Sequence, residues 1–184
     1  MDKEKLRRKL RIELSQIDNE LRRSKAELCS KNLLKLLQVL GLLSSDIVLG
    51  LFAPLNDEIN IIDSVEKSVK TLAFPSVNEL GEMVFRESCF EELVESTSFK
   101  VKILEPSLKS RVVLPDVLLV PGLAFGRKGE RLGRGRGYYD KYLQNYKGIT
   151  IGLSLNEQLV PEIPMEDHDC YLNWVITDRE VIKV

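Results

Sequence analysis

The stretch VPGLAFGRKGERLGRGRGYYD, residues 120–140, joins a strand to a helix and sets the α/β character of this chain. It leaves an apolar run, residues 116–120, that is short and β-branched enough to read as a buried strand. Pro121-Gly122 stops that strand. Gly133, Gly135 and Gly137 then alternate with Arg134 and Arg136, with Arg131 just before them. Residues 138–146 read as a helix. Glycine backbone lets N–H groups approach an oxyanion unobstructed. Guanidinium forks match phosphate geometry, and a helix start adds orphan N–H groups at its positive end. The G-x-G-x-G spacing is neither the dinucleotide fingerprint nor a P-loop, which closes on Gly-Lys-Ser/Thr. A solvated basic linker shares the composition, but two tyrosines and an aspartate directly after the loop favour a binding role.

Strand and helix signals alternate on both sides of this loop. Leu6, Leu10, Leu14, Ile17 and Leu21 recur at steps of four or three, which predicts one amphipathic helix over residues 3–22. Arg7 and Arg11 border its apolar arc and Arg8 points away, so a helix docked by its leucines could lean Arg7 and Arg11 into a neighbouring site. A solvated basic face would show the same pattern. A second helix is expected over residues 24–40, with Ser24 as N-cap and Gly41 as stop. Strands are expected at 47–52, 71–75, 82–87, 101–104, 148–153 and 173–177, with a helix at 59–70 and a short helix or turn at 90–97. With no internal repeat or linker, the 184 residues read as a single domain of layered α/β class.

The net charge of −1 implies no bulk attraction to nucleic acid or membrane. Two basic islands, residues 1–25 and 127–141, nevertheless sit on an acidic remainder. Cys29, Cys89 and Cys170 show no C-x-x-C pairing, which favours a reducing compartment over a zinc or disulfide framework. The charged start lacks the apolar core of a secretory signal, and no apolar run is long enough to span a bilayer. A cytoplasmic protein is expected.

Several acids are candidate ligands. Glu58 lies at a strand-to-helix turn, where it would suit a helix N-terminus or accept from a ligand in a crevice at the strand's carboxyl end. A triphosphate would bring magnesium, held by one or two carboxylates. Asp140, beside the loop, and Asp169, in the turn MEDHDC at 165–170, are the candidates. Each also suits a capping role. His168, the sole histidine, has no nucleophile motif or metal-spaced partner beside it.

The segments PGLAF and RLGRGRGYYD strongly resemble the signature of the 5-formyltetrahydrofolate cyclo-ligase family. Weaker matches follow in order along the chain: RRKLR at 7–11, Asn56-Asp-Glu58, Pro75 with Met83 and Phe85, Leu104-Glu-Pro106, and His168-Asp169. The resemblance implies a three-layer α/β/α sandwich with a central, largely parallel sheet, related to the NagB/RpiA/CoA-transferase group. It implies conversion of 5-formyltetrahydrofolate to 5,10-methenyltetrahydrofolate with Mg-ATP, by a monomer that binds neither nucleic acid nor membrane.

Carried onto this chain, the resemblance places ATP on Arg7, Arg8, Lys9, Leu10 and Arg11 and on Arg131, Leu132, Gly133, Arg134, Gly135, Arg136, Gly137, Tyr138 and Tyr139. It places the folate on Ala53, Glu58, Met83 and the Arg134–Tyr138 segment, with Phe99 against the ring system. Asp140 and Asp169 would hold magnesium, and Arg134, Arg136 and Tyr139 would act in catalysis. One departure stands out: Gly126 replaces the aspartate that usually follows PGLAF. Two rival readings use the same residues. A non-catalytic nucleic-acid binder is opposed by the acidic remainder, and a regulatory ATP-binding module has only Gly126 in its favour.

Overall fold

The computed structural model describes residues 2–43, 46–96, 102–166 and 169–184. The chain opens with helices α1 (Lys3–Ser15) and α2 (Asn19–Val39), strand β1 (Val48–Gly50) and a one-turn helix α3 (Ile62–Val65). Strands β2 (Thr71–Val77), β3 (Met83–Glu87), β4 (Val94–Ser96), β5 (Ile103–Glu105) and β6 (Val112–Val113) follow. The second half contains β7 (Val117–Val120), β8 (Ala124–Phe125), β9 (Arg131–Leu132), α4 (Tyr138–Asn145), β10 (Ile149–Leu153), β11 (Trp174–Ile176) and β12 (Val181–Lys183).

Eight strands form the main sheet in the order β12-β11-β10-β7-β1-β2-β3-β6. The five from β11 to β2 are mutually parallel. Antiparallel β12 closes one edge; at the other, β3 runs antiparallel to β2 and β6 antiparallel to β3. Side chains alternate across the sheet with the two-residue strand period. Val117 and Leu119 join a core with Cys29, Leu33 and Leu37 of α2 and Val65 of α3. Leu118 and Val120 face the other way, into a core with Phe85, Phe125 and Leu143 of α4. Helices thus cover both faces, and the sandwich is a mostly parallel α/β/α arrangement.

The site's location follows from the connections. The chain leaves β1 toward β2 on one side, whereas β7 leads through α4 to β10 on the other. The strand order therefore reverses between adjacent β1 and β7, and a crevice opens beyond their carboxyl ends.

The expected helix over residues 3–22 is two helices. Asp18 caps the second, its Oδ1 accepting from Leu21 N at 2.8 Å. Arg22 closes the joint: Nη2 donates to Leu14 O at 2.8 Å and Ile17 O at 3.1 Å, satisfying carbonyls at the end of α1. Leu21, expected on the buried stripe, is 45% exposed. Asp18, rather than Ser24, is the cap of α2. The expected helix at 59–70 contracts to Ile62–Val65, followed by turns. Strands β4, β6, β8, β9 and β12 were not expected from the sequence. The β8–β9 hairpin lies inside the stretch that read as a loop, and Leu6 and Leu10 of α1 pack on its Ala124 and Leu132.

Candidate active site

Two clefts meet at the Gly/Arg loop. The first, largely apolar, lies between the segment after β1 (Phe52, Ala53, Leu55, Glu58) and residues Gly133–Asp140. The second is polar and lies between the first two turns of α1, the same glycines and the turn that carries Glu166 and Asp169. Arg131, Gly133, Gly135, Gly137 and Asp140 line both.

Arg131 is the hinge between them. It is 8% exposed, and its Nη1 donates to Pro121 O at 3.1 Å. Its Nη2 is ion-paired with Asp140, and its guanidinium lies 5.8 Å from the centre of the Tyr139 ring. Gly137 has φ +74°, a left-handed conformation that glycine adopts without strain, and it turns the chain into α4. Among the described residues no side chain caps that helix start. The Tyr139 hydroxyl is buried and has no hydrogen-bond partner among the described residues. Burial, with the Glu58 charge beside it, pushes that phenol far above the ordinary tyrosine range.

Arg134 reaches back across the first cleft. Its Nε donates to Glu58 Oε1 at 2.9 Å and its Nη2 to Asp57 Oδ1 at 2.6 Å. Leu55 N donates to the other Glu58 oxygen at 2.9 Å. Burial raises the Glu58 carboxyl's pKa, and the Arg134 charge opposes the rise without cancelling it.

In the polar cleft, Arg7 Nε donates to Gly133 O at 2.9 Å, which realises the expected lean of α1 over the loop. Lys3 was not singled out in the sequence. Its Nζ lies 2.6 Å from Asp169 Oδ2 and 3.0 Å from Glu166 Oε1. The signal was available, because Lys3 and Arg7 stand four apart on one helical face. Arg8, Lys9 and Arg11 are exposed and line neither cleft. Leu10 and Leu132 are 2% and 1% exposed and pack α1 to the hairpin. The part of α1 that lines the polar cleft is therefore one turn earlier than expected.

Of the other anticipated residues, Ala53, Glu58, Arg136 and Tyr138 line the first cleft. Met83 is buried and lines an adjoining groove, which it shares with Arg136 and Tyr138. Phe99 and His168 lie outside the described residues.

Asp140 and Asp169 line the same polar cleft. Each already holds a cation, Arg131 on Asp140 and Lys3 on Asp169. Among the described residues no three His, Cys, Asp or Glu side chains gather into a ligand group. Two carboxylates on one cleft could hold a hard cation whose remaining ligands are phosphate oxygens and water.

Sheet, switch point and cleft together define an α/β enzyme domain with a ligand crevice beyond β1 and β7. The model of the 5-formyltetrahydrofolate cyclo-ligase family matches residues 1–178, and the chain belongs to that family. It is 33% identical over 142 residues to a probable 5-formyltetrahydrofolate cyclo-ligase of Schizosaccharomyces pombe, covering 67% of this chain and 69% of that protein. It is 44% identical over 89 residues to the 5-formyltetrahydrofolate cyclo-ligase of Escherichia coli K12, covering 45% of this chain and 49% of that one. An Aquifex aeolicus 5,10-methenyltetrahydrofolate synthetase superposes with a TM-score of 0.82 at 26% identity, over 100% of this chain and 93% of that one. Among the described residues no helix is long and apolar enough to cross a membrane.

Proposed function

We propose that this protein converts 5-formyltetrahydrofolate to 5,10-methenyltetrahydrofolate at the expense of ATP, releasing ADP and phosphate. The observation that carries the reading is that Glu58 and the Gly133–Gly137 loop line one cleft, so a folate-directed carboxylate and a phosphate-directed loop face the same space. The folate would lie in the apolar cleft, and the triphosphate along the glycines and the polar cleft.

The formyl oxygen is a poor leaving group. It attacks the γ-phosphorus, ADP departs, and the resulting iminium phosphate is attacked at carbon by N10, whose proton passes to the departing phosphate. The C–O bond then breaks and phosphate leaves. The chain's contribution is alignment and charge neutralisation. Arg7 and Lys3 from α1, Arg131, Arg134 and Arg136 from the loop, and the loop's N–H groups surround the phosphates. The unpartnered Tyr139 hydroxyl is a donor for the formyl end, in a buried setting where a hydrogen bond is strong.

Five carboxylates and three cations line the polar cleft, so a triphosphate there needs further positive charge. Asp140 and Asp169 would hold magnesium, which supplies that charge when bound. Purified protein given 5-formyltetrahydrofolate and Mg-ATP is expected to develop methenyl absorbance in the near ultraviolet, with ADP formed in step. No absorbance change would remove the reading.

A further inference from the structure

Glu58 and Arg134 line the apolar cleft beside the glycines that both clefts share, and they form an ion cluster with Asp57, which has no role in the reading above. Arg134 bridges the two carboxylates. Its Nε is 2.9 Å from Glu58 Oε1 and its Nη2 is 2.6 Å from Asp57 Oδ1. Two carboxylates therefore neutralise a guanidinium that the triphosphate would also attract.

Glu58 is equally committed. Its side chain is 9% exposed, with one oxygen taken by Arg134 and the other by Leu55 N. A pterin offering N–H donors to Glu58 competes with Arg134 for the same carboxylate. The turn that carries both acids is anchored from behind, since Arg22 Nη1 donates to Asp57 O at 2.8 Å. The exchange is therefore between side chains and ligand, on a fixed backbone.

We propose that Arg134 is a gated phosphate ligand, with Asp57 as its positioning residue: the Asp57–Glu58 pair withholds it in the free protein, and folate, by engaging Glu58, turns it over to the nucleotide. This rests on the folate and nucleotide reading above. The consequence is positive coupling between two ligands that touch different walls of the crevice. It is reciprocal, so nucleotide strengthens folate binding by the same factor.

Calorimetric titration of the full chain with the magnesium complex of a non-hydrolysable ATP analogue, with and without saturating 5-formyltetrahydrofolate, tests it. The nucleotide Kd is expected to fall about tenfold when folate is present. Glu58→Gln, titrated without folate, is expected to bind nucleotide roughly three- to tenfold more tightly than wild type, because an amide cannot hold the guanidinium as a carboxylate does. A residue that only contacted folate would leave that Kd unchanged, and one that only braced the loop would weaken it. Asp57→Asn is expected to shift the Kd in the same direction. Its side chain is 30% exposed, so it remains a usable test if the buried Glu58→Gln does not fold. Equal nucleotide affinity with and without folate overturns the coupling, as do variants that bind nucleotide no better than wild type. Turnover with independent affinities removes only this inference, whereas absence of methenyl product removes the reading beneath it.

Discussion

The Glu130 carboxylate occupies the space that a side chain on Gly126 would need. The two residues face each other across the β8–β9 turn, where Gly126 N donates to Glu130 O at 2.9 Å and Lys128 N donates to Glu130 Oε2 at 2.9 Å. Position 126 thus carries no side chain in a turn to which Glu130 supplies a buried carboxylate.

Gly126→Asp alone is expected to destabilise the protein by about 1–3 kcal/mol, because two carboxylates would compete for one buried site. Adding Glu130→Ala should recover most of the loss. Urea midpoints of the two variants check this; a neutral single substitution would mean that the turn yields freely.

Arg7 and Arg11 lie on the same side of α1, but only Arg7 lines the polar cleft. Arg7→Ala is expected to raise the KM for ATP about tenfold or more, the loss of a charge-assisted contact of roughly 1.5–3 kcal/mol. Arg11→Ala should stay within about twofold of wild type, as surface changes usually do. Steady-state kinetics of the pair decide it; equal effects would mean that the nucleotide reaches a second turn along α1.

Asp140→Asn is expected to shift the magnesium titration of turnover to higher concentration by roughly tenfold or more. It should also lower the melting temperature, because the Arg131 side chain, 6% exposed, loses its carboxylate. A lower melting temperature with an unchanged magnesium curve would leave Asp140 as the partner of Arg131 alone.

Alkaline pH should unfold the protein through groups that the fold keeps neutral. Burial raises Cys29 to about 12 and Tyr142 to about 12. In the unfolded chain these groups ionise near pH 8.5 and 10, respectively. Their contribution is complete below those values and is lost as pH climbs toward 12, at up to about 1.4 kcal/mol per pH unit for each group. Cys29→Ala should flatten the fall between about pH 9 and 12 by one group's share. An unchanged slope in urea titrations across that window would count against it.

Strands with apolar runs were legible because burial on both faces leaves a sequence mark. Val117–Val120 is such a run, and its neighbours declare the parallel sheet. The β8–β9 hairpin left no mark, since two-residue strands are too short for any periodicity. The break between α1 and α2 was hidden by Ile17 and Leu21, which continue a leucine stripe past Asp18. The cap there is a polar side chain acting locally, and it outweighs the stripe. Glu58 and the loop arginines were legible by residue type and resemblance. Their mutual ion pairing was not, because it joins positions far apart in sequence. Lys3 was missed because its partners, Glu166 and Asp169, come from the other end of the chain.

Lys3 on Asp169 and Arg7 on the Gly133 carbonyl make the leading turns of α1 a wall of the polar cleft. An affinity tag fused ahead of Asp2 would hang beside that cleft and load its own charges onto a surface already rich in carboxylates. A purification handle after Val184, beyond the outermost strand, leaves that cleft clear.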